Sequence, residues 1–251
     1  MLRRLAPLLA LLALGGCAST GDDRPNMVAG LVLDTAPAAV HVGIYVAVSR
    51  GFDEADGVTL RIREPATPRS GLDALRRGRT PFAVLDVHDL AVARERGQDV
   101  VAVMAIAQLP IEARARRALR DQGRAALARS IDLESAPRYP ELVLATTSVE
   151  LRDEPALVRA TVAAISRGYQ EELTDPEPAL QVLLENVKPA ARRAEVSADL
   201  PRIEATFTGT TGKVGAFDPA QLRLWAAWEA KTGIVKTPPD LRATFPPIPP
   251  R

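Results

Sequence analysis

The stretch that decides the fold is LVLDTAPAAVHVGIYVAVSRGFDEADGVTLRIREP, which runs from Leu31 to Pro65. Its apolar start, Leu31 to Leu33, has the length and branching of a buried strand. A helix is predicted from His41 to Arg50, and Gly51 is expected to end it. Val58 to Arg63 alternates apolar and polar residues, which predicts a second strand. A strand, helix and strand in this order predict a parallel pair with a right-handed crossover.

The same unit predicts where a ligand would bind. In open α/β sheets, ligands bind beyond the carboxyl ends of the strands. The residues that follow the two strands, Asp34 to His41 and Glu64 to Thr67, are therefore expected at one rim of the sheet. This rim is the first place where a binding site is expected.

The alternation of helices and strands continues to residue 107. We predict a helix from Ser70 to Arg77, a strand from Pro81 to Val87, a helix from His88 to Arg96 and a fully apolar strand from Val100 to Ala107. Gly78 and Gly97 are expected to end the two helices. The pattern is typical of a doubly wound parallel sheet.

Composition restricts the function classes. A chain of 251 residues with 47% hydrophobic content can bury a substantial core. Lys and Arg total 32 against 31 Asp and Glu, so the formal net charge is only +1. This balance argues against a nucleic-acid partner, because such proteins neutralise many phosphates with basic residues.

Residues 1–17 are predicted to be a targeting segment. Arg3 and Arg4 precede the apolar run from Leu5 to Leu14, which is too short to span a bilayer as a mature helix. The Gly-Gly-Cys sequence that ends at Cys17 resembles a bacterial lipoprotein signal, which implies lipidation of Cys17 and a membrane anchor. An ordinary secretory peptide with an incidental cysteine is the alternative. Residues 18–27 are expected to be a polar tether.

A family resemblance is carried by an ordered series of short motifs. They are Leu33-Asp34-x-x-Pro37-x-x-x-His41-x-Gly43-x-Tyr45-x-Ala47, Arg50-Gly51-Phe52, Gly57-Val58, Gly78-Arg79-x-Pro81-Phe82-Ala83-Val84, Gln108-x-Pro110 and Tyr139-Pro140-Glu141-Leu142-Val143-Leu144. This series resembles substrate-binding proteins of ABC importers. Within them it is similar to the NMT1/THI5-like branch, which includes binders of thiamine pyrimidine precursors and is related to the SsuA-like proteins.

The resemblance implies a periplasmic-binding-protein-like (type II) α/β fold and a non-enzymatic role outside the cytoplasm. Its implied partners are a small nitrogen heterocycle and an ABC permease, with no cofactor. Two departures from the family matter. The usual Pro-Asn pair is Pro37-Ala38 here, and a chain whose only cysteine is Cys17 cannot copy the cysteine-rich iron site of the fungal synthase.

The domain plan that follows has one lobe in two pieces. Residues 28–110 and 137–251 are predicted to form the substrate-binding lobe, with a strand from Tyr139 to Thr147 and C-terminal helices that begin near Pro155, Pro176 and Pro219. A further helix is expected over 190–206, a loop over 209–215 and an irregular tail from Pro238. Residues 111–136 have helical spacing and are too few for a second α/β lobe, so we expect a short helical remnant.

The candidate ligand contacts lie at the strand ends and in the first turns of the helices that follow. They are Asp34, Pro37, His41, Tyr45, Glu64, Asp86, His88, Gln108 and Tyr139. Carboxylate, imidazole and amide groups can match the donors and acceptors of a heterocycle. Each of three residues also has a purely structural alternative. His41 could form a hydrogen bond with the nearby backbone, Tyr45 could pack in the core, and Asp86 could cap a helix. Trp225 and Trp228 are expected in the core.

Three function hypotheses remain open on the sequence. The first is a lipid-anchored solute-binding component of an ABC importer, and the second is a non-transporting lipoprotein derived from such a binder. The third, a pyrimidine-precursor synthase, is disfavoured because the iron-site cysteines are absent. His41 and His88 are the only histidines, and no catalytic motif accompanies them.

Overall fold

The first half of the chain folds in the predicted order. The computed structural model describes residues 26–67 and 69–250, so Cys17, the predicted signal segment and most of the predicted tether lie outside the described residues. The elements are β1 (Met27–Val32), α1 (Val42–Ser49), α2 (Phe52–Ala55), β2 (Val58–Arg63), α3 (Ser70–Arg76), β3 (Phe82–Asp86), α4 (Val87–Glu95) and β4 (Val101–Ala107). A one-turn 3-10 helix, Ala39–His41, leads into α1.

The predicted helix ends are confirmed, whereas the start of β1 is corrected. Gly51, Gly78 and Gly97 all have positive φ angles, between 61° and 70°, as expected where helices stop. β1 begins at Met27 and not at Leu31, because Met27 to Val32 pair residue by residue with β2. The side chain of Val28 is exposed, so the first part of the strand adds less to the core than Leu31 does.

The second half contains one strand and a series of helices. These are α5 (Glu112–Asp121), α6 (Ala125–Ser130), β5 (Leu142–Thr146), α7 (Ser148–Asp153), α8 (Pro155–Thr174), α9 (Pro176–Asn186), α10 (Ala191–Ile203), α11 (Pro219–Lys231) and α12 (Leu241–Thr244). The three predicted helix starts at proline are confirmed. The helical spacing noted over residues 111–136 corresponds to two helices, α5 and α6, which are separated at Gly123, whose φ of 78° is incompatible with a continuous helix.

The sheet is mixed and not wholly parallel, which corrects the prediction. Its strand order is β2-β1-β3-β5-β4. β1 pairs in parallel with β2 and β3, but β5 is antiparallel to both β3 and β4. Ala107 at the end of β4 pairs with Leu142 at the start of β5. The connection from 108 to 141 therefore leaves and re-enters the sheet at the same end of the strands, so β5 must run antiparallel to β4.

Apolar side chains cover both faces of this sheet. Phe82 and Val84 of β3 face a core that is shared with α1, α8 and α9, while Ala83 and Leu85 face a second core under α3 and α4. A third cluster, with Trp225 and Trp228 of α11, packs beside α4 and Tyr139. Both tryptophans are buried, so their predicted place in the core is confirmed. Within the described ranges, no helix is long and apolar enough to cross a lipid bilayer.

Helices α1 and α8 pack closely at a point where two glycines meet. A Cβ atom added to Gly168 would lie 1.9 Å from the Gly43 carbonyl oxygen. A Cβ atom added to Gly43 would lie 2.3 Å from the ring of Tyr169, whose hydroxyl donates to the Val40 carbonyl at 2.6 Å. The crossing fixes α1, and with it the loop that follows β1, against the C-terminal helices.

Candidate functional site

The site begins at the carboxyl edge of β1 and β3, where the sequence predicted it. Asp34 lies two residues beyond the end of β1, and Asp86 is the last residue of the neighbouring β3. Both carboxyl groups line one small cavity, together with Asp89 and two arginines of α5. The part of the predicted rim that Asp34 and Asp86 form is therefore present.

Asp34 and His41 form a buried pair at this rim. His41 Nε2 lies 2.7 Å from Asp34 Oδ1, and the backbone N–H of Ala38 donates to His41 Nδ1 over 3.1 Å. Because Nδ1 accepts that bond, we assign the imidazole proton to Nε2, which donates to Asp34. Burial is the main reason that the pKa of His41 is lowered, which agrees with a neutral ring. The local structural role considered for His41 is thus present in the structure.

Helix α5 lies over this rim and contributes positive charge to it. Arg114 forms an ion pair with Asp34 Oδ2, and Arg117 reaches the same oxygen at 3.4 Å. Burial alone would raise the pKa of Asp34, but the charge of Arg114 and the hydrogen bond from His41 hold it well below its usual range. The carboxylate is therefore ionised and fully engaged by the chain itself.

The cavity left beneath α5 is too small for an organic ligand. Its volume is about 30 Å³, and it is lined by Leu33, Asp34, Gly71, Val84, Leu85, Asp86, Asp89, Arg114, Arg117, Ala118 and Asp121. That volume is enough for one or two water molecules. A heterocycle could not enter this space while α5 remains in place.

A larger cleft lies beside the same rim, between the β1–α1 loop, α5 and α10. Its volume is about 310 Å³, within the range of small-ligand sites. Residues Thr35, Ala36 and Ala38–Val40 form one wall, and Ile111, Arg114, Arg117, Arg192, Glu195, Asp199 and Ile203 form the others. Arg192 also donates to the carbonyl of the buried Pro37 at 3.3 Å. We call this the rim cleft; its residues beyond position 110 gave no signal in the sequence.

Tyr45 and Glu64 line a different concavity, which corrects the expectation of one shared rim. That concavity has a volume of about 460 Å³ and lies outside β2, with Glu185, Asn186 and Lys188 on its far side. Burial and then the charge of Glu64 raise the pKa of Tyr45 to about 12. Tyr45 lies one helical turn beyond His41, but its side chain points past the edge strand and not toward Asp34. We call this the edge cleft.

Gln108 is placed at the end of β4 as predicted, but its amide is already satisfied. Its Nε2 donates to the carbonyls of Phe207 (2.8 Å) and Lys213 (2.6 Å), and its Oε1 accepts from Thr211 (2.8 Å). All of these partners belong to the segment that precedes α11. Gln108 therefore fastens that segment to the sheet, and a ligand would have to displace these bonds to reach it.

Asp86, His88 and Tyr139 lie together in the interior and not on an open surface. Asp86 accepts from the backbone N–H of His88 at 2.8 Å, so the alternative of helix capping is confirmed. His88 Nδ1 bonds Glu229, and His88 Nε2 lies 3.3 Å from the hydroxyl of Tyr139. Tyr139 stacks on Trp228 with 5.8 Å between ring centroids. Since His88 and Tyr139 are fully buried, neither is exposed to a solute in this conformation.

Glu141 joins this cluster, and sequence reasoning missed it. Its Oε2 accepts from the backbone N–H of Ile111 at 2.9 Å, and the side chain is fully buried. Burial is the main reason that its pKa rises to about 7. The signal that could have identified it is a carboxylate directly before the apolar run of β5.

Comparisons with known proteins support the resemblance drawn from the sequence. The family model described as "NMT1/THI5 like" matches residues 38–123 and 117–179, which together exceed half of the chain. A formylaminopyrimidine-binding protein from Halalkalibacterium halodurans is 30% identical over 106 residues, which is 41% of this chain. The match covers only 32% of that relative, so the chain spans about a third of its length.

Solved structures support the fold. A ligand-binding component of an ABC-type import system from Staphylococcus aureus aligns with a TM-score of 0.63 and 11% identity, covering 88% of this chain and 97% of that one. A Candida albicans protein described as having the generic periplasmic binding protein fold gives 0.62 and 10%, over 91% and 98%. The sulphonate-binding protein SsuA from Escherichia coli gives 0.57 and 13%, over 88% and 92%. At these identities the alignments show a shared fold, as predicted.

Proposed function

We propose that this chain, which belongs to the NMT1/THI5-like family, is an extracytoplasmic solute-binding component of an ABC importer. The relatives from Halalkalibacterium halodurans, Staphylococcus aureus and Escherichia coli are described as binding proteins, which agrees with the non-enzymatic role predicted from the sequence. The observation that carries the proposal is the rim cleft, because it is bounded by the β1–α1 loop at the expected carboxyl edge.

The walls of the rim cleft suit a small nitrogen heterocycle such as a thiamine pyrimidine precursor. Ala38, Ala39 and Val40 offer a small apolar surface, Arg192 offers donors, and Glu195 offers an acceptor. A ring with amino groups and ring nitrogens needs both kinds of partner when it leaves water. The formylaminopyrimidine that names the Halalkalibacterium halodurans relative has this chemistry, so it is the first ligand to test.

In this function the protein would bind the solute and present it to a permease, without catalysing a reaction. The described residues from 108 to 141 hold two helices and no strand, so the wall opposite the loop is a helix surface and not a second α/β lobe. A ligand in the rim cleft would therefore keep part of its surface in water. At about 25 cal/mol per Å² of apolar area, losing some 100 Å² of burial costs about 2.5 kcal/mol, or about seventyfold in affinity.

A pair of filling substitutions tests which cleft binds the solute. Ala38→Phe adds a ring to the rim cleft, whereas Val48→Phe adds the same ring to the edge cleft. Ligand-observed NMR with a formylaminopyrimidine should show that A38F weakens binding at least about tenfold, because the ring occupies the volume that the ligand needs. V48F should bind as the wild type does. The reverse result would move the site to the edge cleft, beside Tyr45 and Glu64.

We also propose that Cys17 carries the lipid anchor that holds the protein at the membrane. The basic residues, short apolar run and Gly-Gly-Cys sequence support this assignment. Cys17→Ser should move the protein from the membrane fraction to the soluble fraction in cell fractionation, because one cysteine supplies the attachment. A serine variant that still sediments with membranes would contradict the anchor.

The closed rim gives specific support to a second candidate function. Helix α5 leaves only about 30 Å³ above Asp34 and Asp86, so a chain descended from a binder could have lost ligand at the original position. In that case the protein would be a non-transporting lipoprotein. Binding of no pyrimidine by wild-type protein, with the fold intact, would favour this candidate over the first.

A further inference from the structure

The interior cluster at the end of β3 combines residue types that bind metal ions. One ring nitrogen of His88 and one carboxyl oxygen each from Asp86 and Glu141 lie within 4.8 Å of one another. Asp86 and His88 come from the junction of β3 and α4, and Glu141 is the residue before β5, so two separate parts of the chain hold them in place. All three residues are buried.

His88 is oriented as metal-binding histidines are. Its Nδ1 is held by Glu229, a fully buried carboxylate from α11. A histidine that binds a metal through one ring nitrogen usually donates its other N–H to a carboxylate, which fixes the ring and its tautomer. With Nδ1 occupied by Glu229, Nε2 is the nitrogen available to a cation, and it has only a long, 3.3 Å contact with the hydroxyl of Tyr139.

The carboxylates also leave oxygens available. Asp86 uses Oδ1 to cap α4, and Glu141 uses Oε2 to accept from Ile111. Among the described residues, Glu229 Oε2 has no hydrogen-bond partner, and Glu141 Oε1 has none within hydrogen-bonding geometry, although the side chains of Asp86 and Tyr139 interact with the Glu141 carboxyl group. An unpaired carboxylate oxygen in the interior costs several kcal/mol unless a proton or a cation compensates for it.

The cluster places more acidic than basic side chains together. Three carboxylates, from Asp86, Glu141 and Glu229, surround a single histidine. Arg114, the nearest guanidinium of α5, is already paired with Asp34.

We propose that Asp86, His88 and Glu141 form a binding site for one divalent transition-metal cation, with Glu229 as the residue that positions His88. The cation would replace protons as the compensating charge. Asp86 also lines the 30 Å³ cavity beneath α5, which links the cluster to the rim and can hold one or two waters. The proposal does not depend on the import function.

The donor set selects among metals. One imidazole and two carboxylates suit Zn²⁺, which takes nitrogen and oxygen ligands at about 2.0–2.2 Å in tetrahedral sites and leaves a fourth position for water. Tetrahedral ligand atoms are then roughly 3.4 Å apart, so side-chain adjustments of about 1 Å close the cluster around the ion. Mg²⁺ is a poor match because it prefers six oxygen ligands and retains its waters.

The test is metal binding by the full chain in a Cys17→Ser background, which removes the only thiol. After loading with ZnSO₄ and dialysis against metal-free buffer, elemental analysis should find about one zinc per chain. Added Zn²⁺ should raise the midpoint of thermal unfolding, and Mg²⁺ at the same concentration should not. Absence of zinc from folded wild-type protein would overturn the proposal.

Matched variants assign the site. Glu141→Gln keeps an acceptor for Ile111 and Asp86→Asn keeps a cap for α4, so both are expected to fold and to lose at least about tenfold in zinc affinity. Glu229→Gln should weaken binding about 10- to 100-fold by loosening His88. Glu172→Gln, which changes another fully buried glutamate on α8, should bind zinc as the wild type does. Zinc that survives both E141Q and D86N would contradict the assignment.

Discussion

Replacing Gly168 by alanine is expected to destabilise the protein by at least about 3 kcal/mol. Helix propensity alone would predict the opposite, a gain in stability. In an open helix, glycine to alanine would add about 1 kcal/mol of stability. Here the new Cβ would lie 1.9 Å from the Gly43 carbonyl oxygen and 2.8 Å from the Ala47 backbone nitrogen. Backbone atoms cannot relieve the overlap by changing rotamer as a side chain can. Helices α1 and α8 must therefore separate, and the core between them loses its packing.

Urea unfolding followed by circular dichroism measures this effect. Ser166→Ala is the matched control, because it changes a neighbouring position of α8 by a similar amount without placing an atom against α1. We expect S166A to stay within about 0.5 kcal/mol of the wild type. A Gly168→Ala variant as stable as the wild type would mean that the two helices do not meet at this distance.

Replacing Asp34 by alanine is expected to lower the free energy of unfolding by about 3 kcal/mol. The carboxylate is the shared partner of His41, Arg114 and Arg117, and its side chain is only 11% exposed. Without it, the Nε2–H of His41 and the largely buried guanidinium of Arg114 both lack an acceptor. Removing one member of a buried pair leaves an uncompensated charge, and this accounts for most of the loss.

The pH dependence of the Asp34 effect has a definite sign. Its folded pKa is depressed, so its contribution is complete above the unfolded value near 3.9 and is lost only as pH falls through the folded value. The difference in unfolding free energy between wild type and D34A should therefore persist at pH 7. Asp73→Ala removes a half-exposed aspartate that pairs with Arg76, and this control should change stability by less than about 0.5 kcal/mol. Equal effects from D34A and D73A would contradict the buried network.

Local sequence signals predicted the first half of the fold well. β2 was predicted with its observed bounds because Gly57 and Pro65 flank an alternating run, and three glycines marked where helices end. These signals act within a few residues of the feature that they specify. The start of β1 at Met27 was missed because its pairing partner, Val58, lies far along the chain.

The site was harder to predict because its contacts are long-range. His88 forms a hydrogen bond with Glu229, 141 residues away, and Gln108 forms one with Lys213, 105 residues away. No local sequence pattern predicts either contact. The sequence placed Asp34, His41 and Asp86 at the correct edge of the sheet. It could not reveal that α5 would cover that edge with Arg114 and Arg117, since helical spacing defines a face but not the surface that the face contacts.

The affinity of the monomer for a small pyrimidine is the most direct test of binding in the rim cleft. We propose that the solute lies in the rim cleft, partly open to water, with a helix and not a second lobe on its far side. Isothermal titration calorimetry with thiamine, a formylaminopyrimidine and riboflavin, on protein shown to be monomeric by sedimentation, measures it. We expect a Kd for the pyrimidine that is micromolar or weaker, about −8 kcal/mol at most. Sub-micromolar binding by the monomer would contradict a one-sided cleft.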